Sequence, residues 1–197
     1  MTRFTLRPAS RPARRPSLRV GLASALALVA GMGAAQARDA ITIAMQLEPP
    51  HLDPTSAAAQ AIDQVVYTNI FEGLTRFMGD GSVVPGLAES WDISDDGLTY
   101  TFHLRDGVTF HDGTTMDSAD VKFSLDRARA DDSQNAQKAL FAGIASVETP
   151  DPLTAVVTLS EPNGSLLFNL AWGDAVIVAP ETIETITTNP VGTGPYT

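Results

Sequence analysis

Gly97-Leu98-Thr99-Tyr100-Thr101-Phe102-His103-Leu104-Arg105-Asp106-Gly107 is the most informative passage of this chain. Leu98, Tyr100, Phe102 and Leu104 alternate with Thr99, Thr101, His103 and Arg105. A period of two puts the four apolar side chains on one face of a strand and leaves the other face to water. The Asp96-Gly97 pair before it is a preferred hairpin turn, because both residues tolerate positive φ. Trp91 and Ile93, on the other side of that turn, supply the partner strand. Further Asp-Gly pairs at 80–81, 106–107 and 112–113 punctuate the neighbourhood, and Val108 with Phe110 begins a third extended piece.

Beyond this sheet the pattern turns helical. Asp117 has the chemistry of an N-cap, and Asp120 three residues later can reach back as in a capping box. Val121, Leu125 and Ala128 give the helix a buried stripe. Two more strands, Ile144–Glu148 and Ala155–Leu159, follow around Thr149-Pro150-Asp151-Pro152. A short helix is expected over Asn163–Leu170, a strand over Ala175–Val178, and a helix over Pro180–Ile186 with Pro at its first position. Toward the N-terminus, Ile41–Met45 is β-prone, Pro49-Pro50 stops it, and Leu52-Asp53-Pro54 makes a turn. Ile62, Val66, Ile70 and Leu74 then recur every four residues, predicting one helix from about Ala57 to Leu74, ended by Gly73 and Gly79. The fold class is mixed α/β, without internal repeats.

The 197 residues include 13 Lys and Arg, 23 Asp and Glu, and no Cys, for a net charge of −10. This excludes disulfides, thiolate metal sites and a Cys nucleophile, and the acidity argues against nucleic acid as a partner. Arg3, Arg7, Arg11, Arg14, Arg15 and Arg19 precede the apolar stretch Val20–Ala35, which ends in Ala35-Gln36-Ala37. Basic, apolar and A-x-A parts in that order predict a secretory signal peptide over residues 1–37, cleaved after Ala37. The general secretory route fits better than twin-Arg export, since Pro16 and Ser17 interrupt the latter's pattern. The remaining residues carry seven basic against 23 acidic groups, a charge of −16.

Catalytic patterns are missing. His51, His103 and His111 are scattered, no HExxH occurs, and Asp92, Asp95 and Asp96 do not have EF-hand spacing. No G-x-S-x-G is present, and Gly192-x-Gly194 runs into Pro195 rather than a helix. Asn163-Gly164-Ser165 has the form of a glycosylation sequon. No carboxylate stands in a sequence setting that would raise its pKa for acid–base work. The chain is read as a non-enzyme without metal or other cofactor.

Longer blocks carry a resemblance. Leu87-Ala88-Glu89-Ser90-Trp91, Gly97 to Arg105, Gly107-Val108-Thr109-Phe110-His111-Asp112-Gly113 and Asp120-Val121-Lys122-Phe123-Ser124-Leu125 follow one another in order. Leu52-Asp53-Pro54, Phe71-Glu72-Gly73-Leu74, Pro85-Gly86-Leu87-Ala88 and Val191-Gly192-Thr193-Gly194-Pro195-Tyr196 flank them. This succession closely resembles the family 5 extracellular solute-binding proteins, the dipeptide-, oligopeptide- and nickel-binding components of ABC importers.

The resemblance implies a periplasmic binding protein type II-like fold. Residues 38–70 would be the first segment of lobe one, 71–178 a small β-rich subdomain, and 179–197 a truncated return to lobe one. The second lobe would be absent, leaving a piece that binds weakly. It further implies a periplasmic monomer that captures a peptide, or else a nickel complex, and delivers it to an ABC permease. The membrane would be met only through that permease. In peptide-binding members the segment past the L-D-P turn lends backbone groups to the ligand; here that is Ala57, Ala58, Ala59 and Gln60. The same four residues also read simply as the start of the following helix. A stand-alone secreted interaction module and a secreted hydrolase are the alternative readings.

Overall fold

In the computed structural model, residues 44–197 are described. The expected signal peptide and its cleavage site lie outside the described residues, as do Ile41–Ile43 of the first β-prone run; Ala44 and Met45 are irregular. The element order is α1 (Gln60–Val66), β1 (Thr75–Phe77), β2 (Val83–Pro85), β3 (Ala88–Ile93), β4 (Thr99–Leu104) and α2 (Ser118–Arg129). There follow α3 (Lys138–Phe141), β5 (Ile144–Asp151), β6 (Thr154–Leu159), α4 (Leu166–Asn169) and two 3₁₀ turns, Gly173–Ala175 and Pro180–Thr185. The chain is mixed α/β, as its sequence pattern predicts.

Strands β3, β4, β6 and β5 form one antiparallel sheet in that order. Across the Asp96-Gly97 turn, Ile93 pairs with Tyr100 and Trp91 with Phe102. Gly97 adopts φ of 70°, which L side chains rarely tolerate. Tyr100, Phe102 and Leu104 of β4 and Ala155, Val157 and Leu159 of β6 are buried on one face. Helix α2 covers that face with Val121, Leu125 and Ala128, all in the same core. Its capping box is formed: the Asp117 carboxylate accepts from the Ala119 N–H at 2.7 Å, and the Asp117 N–H donates to Asp120 Oδ2 at 2.8 Å. Pro150, without an N–H, is accommodated because β5 is an edge strand with a register irregularity between Glu148 and Asp151.

Three expectations change. The helix starting near residue 60 ends at Val66, not Leu74. Tyr67 is extended and Thr68 has φ of 59°, so the chain turns out of the helix. The four-residue spacing did mark burial, but the carbonyls of Gly73 and Leu74 are needed elsewhere. Gly73 O accepts from the Leu87 N–H at 2.9 Å, and Leu74 O from Gly86 and Ala88 at 3.0 and 3.1 Å. The second change is at Val108 and Phe110. These residues form a tight loop rather than a sheet strand, with the Phe110 N–H donating to Thr114 O at 2.9 Å across Asp112-Gly113. The third is Ala175–Val178, which begins as a 3₁₀ turn and continues extended and buried, paired not as a full strand but through an isolated antiparallel bridge between Val176 and Gly73, with the Ile177 N–H donating to Glu72 O at 2.9 Å. Its Val178 N–H donates to the Ser124 hydroxyl at 2.9 Å, a side chain standing where a strand would otherwise pair.

Two hydrophobic clusters result. The larger lies between the sheet and α2 and includes Leu74, Phe102, Leu125 and Phe141. The smaller joins Ile62, Val66 and Phe71 to Val176, Val178 and Ile186. Segments from both ends of the described chain thus pack on one another.

Candidate functional site

The site begins at the Leu52-Asp53-Pro54 turn. Asp53 is only 2% exposed. Its carboxylate accepts from the Thr55 N–H at 2.8 Å, the Thr55 hydroxyl at 2.6 Å and Arg127 Nη2 at 3.1 Å. Arg127 Nη1 also reaches the Thr55 hydroxyl. Burial alone would raise the Asp53 pKa, but the Thr55 hydrogen bonds and the Arg127 charge outweigh it and hold the group below its ordinary value. The turn is thereby fastened to α2, and the chain leaving it is aimed at a fixed place.

That chain is Ala57–Gln60. Ala57, Ala58 and Gln60 line a cavity of about 230 Å³ together with Asp63, Ala136, Gln137, Trp172 and Asp174. Ala59 does not line it; it packs with the smaller cluster and accepts the Ile62 N–H at 2.8 Å. Among the described residues no backbone hydrogen bond engages Ala57 or Ala58.

The opposite wall is Trp172-Gly173-Asp174. Asp63, on α1, presses its carboxylate against Gly173, where an added Cβ would stand 2.5 Å from Asp63 Oδ1. With Asp63 in this rotamer, a side chain at position 173 would have to displace its carboxylate. Asp174 is 6% exposed. Its backbone carbonyl accepts from Asn135 Nδ2 at 2.8 Å, which ties the wall to the loop before α3. Burial, and then the neighbouring Asp63 charge, push the Asp174 carboxyl up to about 6, while a bond to its own N–H works the other way. Burial raises Asp63 as well. The expectation that no carboxylate is shifted upward therefore fails here, and also at Asp120, raised to about 6 chiefly by burial. The cause is contact between distant segments, which a local sequence setting does not reveal.

The remaining candidates are structural. Among the described residues no three His, Asp or Glu side chains converge as metal ligands. His103 Nε2 pairs with Asp92 at 2.8 Å on the exposed sheet face. Asp96 closes its own turn on the Ser94 hydroxyl and the Leu98 N–H. His111 holds the C-terminal block through Gly194 O at 2.8 Å. A larger open groove of about 540 Å³ runs beside Gly143 and Ser160–Asn163, away from these carboxylates.

The family model described as bacterial extracellular solute-binding proteins, family 5 Middle, matches residues 82–197. The chain belongs to this family. Over 164 residues it is 40% identical to a glutathione-binding protein of Pectobacterium atrosepticum, a match covering 81% of this chain and 32% of that protein. Among solved structures, NikZ from Campylobacter jejuni in complex with Ni(L-His) aligns at 33% identity with a TM-score of 0.66, over 76% of this chain and 30% of that one. The periplasmic binding protein DppA from Helicobacter pylori in complex with the peptide STSA aligns at 31% identity with a TM-score of 0.65, over 74% and 33%. The chain thus spans about a third of the length of these relatives.

Within this family 5 chain, the cavity is assembled from residues on both sides of the matched boundary. Gln137, Trp172 and Asp174 lie inside the 82–197 match, whereas Ala57–Asp63 precede it. Sequence reading named the near wall through the L-D-P turn. It missed the far wall, for which the one local signal was Trp172-Gly173-Asp174, a large aromatic followed by a residue without a side chain.

Proposed function

We propose that this chain is part of a periplasmic receptor that captures a short peptide and delivers it to the permease of an ABC importer. Membership of the solute-binding family supports capture rather than catalysis, and the free peptide groups of Ala57 and Ala58 at the cavity carry the choice of ligand. An extended peptide can add to such a segment as a strand does, with backbone hydrogen bonds for affinity and small side chains leaving room. Ala57, Ala58 and Gln60 are the contact residues in this reading, and Ala59 fixes the segment from behind. The relatives described as binding glutathione and the peptide STSA support the same class.

In domain terms, residues 38–70 and 179–197 belong to one lobe and 71–178 to a β-rich subdomain. The packing of Ile62 and Val66 with Ile186 in the smaller cluster supports joining the two outer segments, and Phe71, Val176 and Val178 of the subdomain's ends pack there too. The receptor acts as a monomer, with a second lobe closing on the ligand. Enclosure between lobes supplies most of the affinity, so the 197 residues alone bind weakly.

Isothermal titration of glutathione, trialanine and nickel–histidine into the 197-residue chain and into the product of its uninterrupted reading frame tests this. Tight peptide binding by the longer product and weak binding by the shorter is the expected result. Preference for nickel–histidine overturns the peptide assignment, and equal affinity of both products overturns the role of enclosure.

A further inference from the structure

Asn163-Gly164-Ser165, the tripeptide with the form of a sequon, lies on the loop between β6 and α4 and takes no part in the solute cavity. Gly164 and Ser165 are exposed, and Asn163 is half-buried. An asparagine side chain can be attacked by the main-chain nitrogen of the next residue, which closes a cyclic imide. The reaction needs a following residue with an unengaged N–H, no side chain crowding the ring, and a backbone that turns freely. Glycine meets the last two conditions best. Nothing lies within 4 Å of the place a Gly164 Cβ would occupy, and the Gly164 N–H makes no hydrogen bond among the described residues.

The loop also sets donors on both carbonyl oxygens that the ring would contain. Asn163 Oδ1 accepts from the Ser165 N–H at 2.9 Å. The Asn163 main-chain oxygen accepts from the Tyr100 hydroxyl and from the Leu166 N–H, each at 3.1 Å. Donors already aimed at an oxygen that becomes anionic lower the barrier to attack at its carbon.

Every other asparagine of the chain lacks one of these conditions. Asn189 precedes Pro190, which has no N–H. Asn69 precedes β-branched Ile70, whose N–H donates to Val66 O at 2.9 Å. Asn169 is buried, and the next N–H, that of Leu170, donates to Leu166 O at 2.9 Å. Asn135 is buried with its Nδ2 held on Asp174 O.

We propose that Asn163-Gly164 is a self-modification site, where the folded chain converts its own asparagine to aspartate and isoaspartate through a succinimide. Gly164 N bonds to Asn163 Cγ while its proton passes to water. The Cγ–Nδ2 bond breaks, and the amide nitrogen leaves as ammonia. Water, the one co-reactant, then adds to either imide carbonyl and the C–N bond there breaks. Opening at Cγ leaves aspartate. Opening at the main-chain carbonyl leaves isoaspartate, with the chain rerouted through Cβ and Cγ. Either product sets a new carboxylate on the rim of the 540 Å³ groove, which Asn163 lines together with Glu161. The proposal is independent of which solute the receptor binds.

The test is incubation of the 197-residue chain at physiological temperature and mildly alkaline pH, followed by peptide mapping with mass spectrometry and an isoaspartate assay. The expected result is exchange of amide for carboxyl at Asn163, with isoaspartate present and one more negative charge on isoelectric focusing, while Asn69, Asn135, Asn169 and Asn189 stay intact. Direct hydrolysis of the side-chain amide cannot give isoaspartate, so conversion without it overturns the imide route. Gly164→Ala should suppress the conversion, because its methyl crowds the ring, and an unchanged rate overturns the proposal. Tyr100→Phe removes one donor from the main-chain oxygen and should lower the ratio of isoaspartate to aspartate; an unchanged ratio overturns the role given to the donors. Conversion at Asn163 only after unfolding in urea overturns the assignment to the folded loop. Thermal melts of both variants confirm folding.

Discussion

Gly192→Ala is the most discriminating single perturbation of the fold. Gly192-x-Gly194 fails as a nucleotide motif in the sequence because Pro195 follows it, and in the structure the two glycines lie against the chain at Asn69–Phe71. A Cβ built on Gly192 would stand 2.0 Å from Ile70 O, 2.7 Å from Ile70 C and 2.9 Å from Phe71 Cδ1. The first two obstacles are backbone, so no rotamer change relieves them. Forcing a methyl into packed space costs about 1–3 kcal/mol. The displaced segment also stretches two hydrogen bonds, Gly194 N–H to Ile70 O and His111 N–H to Gly192 O, both 2.9 Å. Each is worth about 1 kcal/mol net, which brings the expected loss to about 3–5 kcal/mol.

At roughly 2–4 °C per kcal/mol for a chain of this size, the melting midpoint should fall by about 6–20 °C. Gly164→Ala is the control. Nothing lies within 4 Å of its Cβ position and its φ is not in the left-handed range, so its change should stay within about 0.5 kcal/mol. Differential scanning calorimetry and urea titration of the two variants give the comparison. A Gly192→Ala midpoint matching that of Gly164→Ala would refute the claim that close backbone approach, rather than a ligand, dictates glycine here.

Phe102→Ala empties the centre of the sheet, where Phe102 is fully buried between Trp91 and Ala155; urea unfolding should show a loss of about 3–5 kcal/mol. Asp117→Ala removes the N-cap acceptor of α2 and should cost about 1 kcal/mol, seen as faster hydrogen exchange at Ala119 and its neighbours while the β4–β6 amides stay protected. The pH dependence follows from Asp174, which titrates at about 6 in the fold against an ordinary 3.8. The folded state therefore binds this proton more tightly than the unfolded chain, and the associated stability is complete below about pH 4 and lost as pH rises through about 6. Asp174→Asn has no proton to lose, so it should be more stable than the natural chain at neutral pH by on the order of 2–3 kcal/mol, an advantage that vanishes near pH 4. Urea titrations of both proteins across that range check it, and a constant difference would refute it.

The sequence by itself determined whatever depends on neighbours along the chain. The alternation of Tyr100, Phe102 and Leu104, the Asp96-Gly97 turn and the Asp117–Asp120 capping box are such features, because their hydrogen bonds and faces are set within a few residues. The order of its motif blocks also identified the family. Tertiary structure alone decided where α1 stops, since the carbonyls of Gly73 and Leu74 answer to Gly86–Ala88 rather than to a helix. It also decided that Asp53 is paired with Arg127, and that Asp63 and Asp174 share a cavity with Trp172. A carboxylate's charge state is governed by the water and partners around it. For Asp174 those surroundings are assembled from α1, the loop before α3 and its own turn, segments brought together only by packing the two cores.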